Sequence, residues 1–125
     1  MERKELIIGT RSSNLALFQA ELVAEKLQKS FPDKIFTIKT FSTKGDRVTN
    51  IPLSQFRGTG VFVKEIQAAL LNKNADIAVH SLKDVPIDEI DNLLLSCFPD
   101  RDNPQDMLIT LGEDTLDSLP QGAVV

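Results

Sequence analysis

One cysteine, Cys97, and one histidine, His80, are the whole supply of soft and imidazole ligands in a chain of 125 residues. A lone cysteine rules out an intramolecular disulfide and a cysteine-based zinc cluster, and a lone histidine cannot build a metal site by itself. No window holds the roughly 20 apolar residues that a bilayer span requires. The charged opening Met1-Glu2-Arg3-Lys4-Glu5 runs into a short apolar stretch without the longer core of a secretory leader. The expectation is a cytoplasmic protein with no metal and no membrane partner. A net charge of −4 argues against a general nucleic-acid binder as well.

What is present is an ordinary globular composition, 42% hydrophobic and 26% charged, enough for one modest core or for one domain and a piece of another. The charge is divided unevenly. Residues 1–83 carry 13 bases and 8 acids, whereas residues 84–125 carry Arg101 against ten acids. A basic bias in the first part suits an anionic ligand, because a cleft lined by one sign of charge concentrates the other. A solvated surface accounts for the same counts equally well.

Leu6-Ile7-Ile8-Gly9 has the length and content of a strand, and Ser12 or Ser13 can cap the helix after it. Leu15, Phe18, Leu22, Val23 and Leu27 recur at three- and four-residue steps, which predicts one buried helical face. Pro32 and Asp33 end that helix, and the β-branched and aromatic run 35–41 predicts a second strand, parallel to the first across a crossover helix. Residues 42–60 break the pattern with Gly45, Pro52, Gly58 and Gly60, and loops of this length are often binding loops. A second helix is predicted from Val61, with Phe62, Ile66, Ala69 and Leu70 on one face, followed by a strand over 75–79. Further strands are expected at 93–98, 107–110 and 123–125. The whole predicts an α/β fold with a largely parallel sheet and flanking helices. The expected organisation is a first domain over 1–98, a polar hinge PDRDNP at 99–104, and opening strands of an incomplete second domain over 105–125. Because the chain stops inside an apolar run, truncation is expected.

Three groups of residues can carry chemistry. Arg11, Ser12 and Ser13 follow the first strand at a helix N-terminus, where free N–H groups and a guanidinium fork can hold a carboxylate; alternatively a serine only caps and Arg11 pairs with a surface acid. The stretch 42–64 carries Lys44, Arg47, Arg57 and Lys64 against Asp46, a basic loop that can close over a polyanion or simply stay solvated. Lys83-Asp84 follows an apolar strand and precedes Val85-Pro86. A carboxylate there can stabilise a cation or move a proton while the ammonium anchors an anion, and a plain surface pair is the competing account. His80 reads as a buried, hydrogen-bonded imidazole and Cys97 as a small core residue.

Together, IIGTRSSNLALFQA at 7–20, STKGD at 42–46, GTGVFVKEIQAALL at 58–71 and ADIAVHSLKDVP at 75–86 resemble the N-terminal third of the porphobilinogen deaminase (hydroxymethylbilane synthase) family, and the resemblance runs on through PDRDNPQDMLI and LDSLPQGAVV. That family joins four porphobilinogen molecules head to tail with loss of ammonia, a step of tetrapyrrole and haem biosynthesis. The resemblance implies a type II periplasmic-binding-protein-like first domain, truncated here. It gives Asp84 the catalytic role beside the pyrrole cation, and Lys83 and Ser81 the dipyrromethane cofactor. Arg11, Ser13 and Gln19 fall on substrate-side positions. Lys44, Asp46, Arg57, Thr59 and Phe62 fall in a mobile loop over the site, with Thr59 standing where many members carry lysine. The cysteine that bonds the cofactor lies in a later domain of the family, and Cys97 matches no such position. Partners implied are porphobilinogen and the growing oligopyrrole, with a monomeric full-length protein and a fragment that is inactive alone and self-associates. The alternative is a non-catalytic module of periplasmic-binding or effector-domain type that holds a small anion.

Overall fold

In the computed structural model the described residues are 4–42, 63–86, 88, 90–110, 112 and 115–124. The chain divides into two units, 1–95 and 96–125.

The first unit is organised around β1 (Glu5–Thr10), the apolar run that the composition singles out as a buried strand. Parallel β2 (Ile35–Thr40) pairs along its whole length, Glu5 opposite Ile35 through Thr10 opposite Thr40, and the short β3 (Ile77–Ala78) pairs on its other edge, opposite Ile8 and Gly9. The order is therefore β2-β1-β3. Parallel neighbours need crossovers, and here they are helices: α1 (Asn14–Ser30) between β1 and β2, and α2 (Lys64–Leu71) before β3. The first crossover steps one way from β1 and the second steps back past it, so right-handed connections put α1 and α2 on opposite faces.

Side-chain alternation along β1 agrees with that placement. Ile8 and Thr10 are fully buried, and the Thr10 hydroxyl donates to the Ala16 carbonyl of α1 at 3.1 Å. Gly9 faces the other way. A Cβ on Gly9 would stand 3.2 Å from the Ala75 Cβ, 3.2 Å from Phe41 Cε2 and 3.4 Å from Ile66 Cγ2, so the missing side chain is what lets α2 and its following turn close on the sheet. Ile8, Val63 and Ile66 form the core with Ala20, Ala69 and Ala75. Each of the larger side chains contributes about 1.5–3 kcal/mol on full burial.

Ser13, rather than Ser12, caps α1: it is extended (φ −69°, ψ 149°) and its Oγ accepts from the Ala16 amide. The helix ends where the Phe31 amide meets the Leu27 carbonyl, and Gln28 Nε2 donates to the Lys34 carbonyl at 2.9 Å, tying the helix end to the start of β2. Its inward face differs from the one expected. Val23 and Leu27 are half-buried as predicted, but the sheet-facing stripe is completed by Ala16, Ala20 and Ala24, while Leu15, Phe18 and Leu22 are 58%, 52% and 44% exposed. Small residues let the helix axis lie closer to the strands, and the bulkier stripe is left on the outer side.

Apolar runs outside the sheet behave differently from the expectation. The described residues of 93–98, 107–110 and 123–124 form no strand, and Leu94, Met107, Ile109 and Val124 are 84% exposed or more. A strand exists only where a neighbour pairs with its amides and carbonyls, and no such neighbour lies beside these runs among the described residues. Cys97, expected in a core, is exposed for the same reason. In the second unit the order is local: a single turn over Leu116–Ser118 is closed by Thr115 and Ser118, and the Asn103 side chain accepts from the Gln105 amide. The expected hinge at 99–104 lies within this unit. No described helix is long and apolar enough to cross a membrane.

Candidate active-site cleft

The sheet order fixes where a cleft can open. From β1 the chain leaves toward one face, and the chain that forms β3 arrives from the other, so the loops beyond their C-terminal ends diverge at a topological switch point. A cleft of about 200 Å³ lies there, lined by Arg11, Ser13, Leu15, Ala16 and Gln19 on one side and Val79, His80, Ser81, Lys83 and Asp84 on the other. Its size falls below the roughly 300–1,000 Å³ of pockets that enclose drug-sized ligands, and suits a single substituted ring.

Each wall is set by local chemistry. On the first, Thr10 anchors the end of β1 to α1 through Ala16, which fixes Arg11 just beyond the strand and Ser13 at the cap, with Gln19 on the second turn. On the second wall, the Val79 amide donates to the Gly9 carbonyl at 3.0 Å and extends β3 by one bond. The chain then makes one tight turn over Leu82–Asp84, closed by Asp84 N to Ser81 O at 3.0 Å and Val85 N to Leu82 O at 3.1 Å. That turn brings Ser81 and Asp84 to the cleft, with Lys83 on its exposed side.

Two contacts bridge the walls. Arg11 Nη1 lies 3.5 Å from Asp84 Oδ2, with the side chains 20% and 19% exposed. Ser81 Oγ donates to Gln19 Oε1 at 3.0 Å. His80 sits behind them. Its Nε2 is buried without a hydrogen-bond partner, and burial pushes the imidazole below its ordinary pKa; Asp84 pulls the other way and Arg11 adds to the depression, so the ring is neutral at pH 7. The expected hydrogen-bonded histidine is therefore half right: buried, but with that nitrogen unpaired.

Six of the sequence-derived site residues, Arg11, Ser13, Gln19, Ser81, Lys83 and Asp84, thus line one cleft. Lys44, Asp46, Arg57, Thr59 and Phe62 lie outside the described residues. His80 is the wall residue that sequence reasoning set aside; its place one residue before Ser81 was the available signal. Among the described residues no group of three or more metal-ligating side chains converges. Chemically, the cleft offers a guanidinium, an ammonium and an amide to carboxylates, and one carboxylate to a cation.

Comparison with known proteins agrees with this inventory. Residues 6–125 match the family profile described as porphobilinogen deaminase, dipyromethane cofactor binding domain. Porphobilinogen deaminase of Citrifermentans bemidjiense is 48% identical over 123 residues, covering 98% of this chain and 38% of the relative. The protein of the same name from Nitratidesulfovibrio vulgaris is 45% identical over 123 residues, covering 98% and 39%, and that from Brevibacillus brevis is 46% identical over 118 residues, covering 94% and 38%. The chain spans less than two fifths of the length of these relatives. A profile match over nearly every residue, with the motif residues gathered in one anion-binding cleft, does not favour a separate small-anion module: the chain belongs to the porphobilinogen deaminase family.

Proposed function

We propose that this chain forms one wall of the catalytic cleft of an enzyme that joins porphobilinogen units with loss of ammonia, giving hydroxymethylbilane. The observation that carries the reading is the single carboxylate, Asp84, set among Arg11, Lys83, Ser81 and Gln19 at the switch point of a chain of this family. Porphobilinogen bears an acetate, a propionate and an aminomethyl group. Arg11 and the amide of Gln19 bind its carboxylates, with Ser13 at the rim of the helix N-terminus. Asp84 stabilises the positive charge that develops as ammonia departs and moves the proton released on ring coupling, since a carboxylate in a partly desolvated cleft is worth more there than in water.

The dipyrromethane cofactor named in the family description fits the same wall. Its pyrroles carry carboxylate side chains, and Lys83 and Ser81 are an ammonium and a hydroxyl adjacent to Asp84 on one turn. When bound, it supplies the terminal pyrrole to which the first substrate is joined. Lys83 holds a carboxylate of that group, Ser81 orients it, and Asp84 faces the pyrrole nitrogens.

A chimera tests the assignment. Replacing the matching stretch of the Citrifermentans bemidjiense relative with this chain is expected to preserve hydroxymethylbilane formation, and Asp84→Asn in that chimera to lower kcat at least about 100-fold. A fully active Asp84→Asn chimera would remove Asp84 from the chemistry. The chain on its own is proposed to be inactive and to self-associate, and the longer protein to be a monomer. The finer fold, a type II periplasmic-binding-like domain, is supported by the β2-β1-β3 order with its cleft at the switch point. A cytoplasmic location belongs to the same proposal and rests on the sequence.

A further inference from the structure

The ion pair inside the cleft is poorly made for its setting. Arg11 reaches Asp84 through one contact of 3.5 Å, at the outer limit of a hydrogen bond. A guanidinium that meets a carboxylate well makes two parallel bonds of about 2.7–2.9 Å. The partners are 73 residues apart and are held by different elements, Arg11 by the β1–α1 junction and Asp84 by the turn after β3. Neither can improve the contact without moving its own support. An arriving carboxylate has no such tether: it can align with the fork of Arg11 while Lys83 and Gln19, in the same cleft, take its remaining lone pairs.

We infer that the Arg11–Asp84 contact is a resting pair that a ligand carboxylate displaces, releasing the Asp84 carboxylate to the cationic part of the same ligand. This deepens the functional reading above and rests on it. Anion capture at Arg11 and cation capture at Asp84 are then coupled, because each removes the other's internal contact. A ligand carrying both charges trades one imperfect internal pair for two intermolecular ones. A ligand with carboxylates alone leaves Asp84 without a cation. The cleft therefore selects aminomethyl pyrrole carboxylates over pyrrole carboxylates lacking the amine, and it does so before any bond is broken.

The test uses the full 125-residue chain and two probes, porphobilinogen and the same pyrrole with methyl in place of aminomethyl, with Kd read from amide and arginine side-chain NMR titrations. Asp84→Asn removes the internal competitor, so the methyl probe is expected to bind about two- to fivefold tighter while porphobilinogen binds weaker by a similar factor, the range of partly exposed ion pairs. Asp84→Ser, which removes the charge with a different shape, is expected to move both probes the same way. Arg11→Gln is expected to weaken both. If the methyl probe binds either Asp84 variant no tighter than the unmodified chain, displacement is wrong, while a loss of both probes in Arg11→Gln leaves the cleft assignment standing. If neither probe binds any form, the inference and the cleft assignment fall together.

Discussion

Asp76 holds β3 in place with its side chain as well as its backbone, and that makes it the most informative residue to change. The Ile7 amide of the central strand donates to Asp76 Oδ2 at 2.8 Å, and the Asp76 amide donates back to the Ile7 carbonyl at 2.8 Å. β3 itself is only two residues long, so this reciprocal pair and the Val79 bond to Gly9 carry much of its attachment. Asp76→Ala strands the Ile7 N–H beside a partly buried strand. An amide losing a charged acceptor costs about 1.5–3 kcal/mol, a large share of the roughly 5 kcal/mol at the low end of domain stabilities. Asp76→Asn keeps a carbonyl oxygen at the same place and gives up the charge, so its cost is expected below about 1 kcal/mol. Urea unfolding followed by far-UV circular dichroism measures both, and hydrogen exchange at the Ile7 amide should accelerate in the alanine variant only. Because β3 leads into the Ser81–Asp84 turn, the alanine variant should also broaden the resonances of that turn. An alanine variant within about 0.5 kcal/mol of the unmodified chain, or an asparagine variant as damaging as alanine, would refute the role given to this oxygen.

Two other perturbations follow from backbone and charge. Lys73 ends α2 in the left-handed region (φ +59°), where a Cβ is strained and glycine is the usual choice, so Lys73→Gly is expected to raise stability by about 0.5–1 kcal/mol in urea unfolding despite the looser unfolded chain; a loss would contradict the strain. His80, pushed below its ordinary value near 6.5 by burial, binds fewer protons folded than unfolded as pH falls through about 6.5. Stability should thus be lost as pH drops through that value and level off below the folded-state pKa, and His80→Gln should flatten the slope between pH 7 and 5; an unchanged slope would show that the ring is not desolvated.

The parts of the fold that could be read from the chain are those where periodicity and pairing coincide. β1, α1 and β2 follow one another with short connections, so the apolar run of 6–9, the spacing of Val23 and Leu27 and the β-branched run of 35–41 each meet their partner at once. Elsewhere periodicity reports only that a residue is apolar. Leu15, Phe18 and Leu22 have helical spacing as good as that of the sheet-facing stripe, and what decides between the stripes is the closeness allowed by Ala16, Ala20 and Ala24, a property of packing. The runs at 93–98 and 107–110 carry strand composition without a ladder to join, and no window of sequence contains the missing neighbour.

The cleft was legible in pieces for a related reason. Arg11 could be placed at a strand end and helix start, and Lys83-Asp84 at another strand end, but their meeting depends on β3 lying beside β1 on the edge opposite β2. The motifs supplied the grouping through family resemblance; the parallel sheet supplies its physical cause. Two strand ends become neighbours only because the chain reverses its direction across the sheet after β2, and that reversal is what separates the loops enough to leave a cleft between them. The same reversal sets the geometry of the Arg11–Asp84 contact: side chains mounted on diverging loops approach to 3.5 Å and no closer, which leaves both charges available to a ligand. A better internal pair would add stability and close the site, so a long contact between these two residues is the arrangement a binding cleft at a switch point requires.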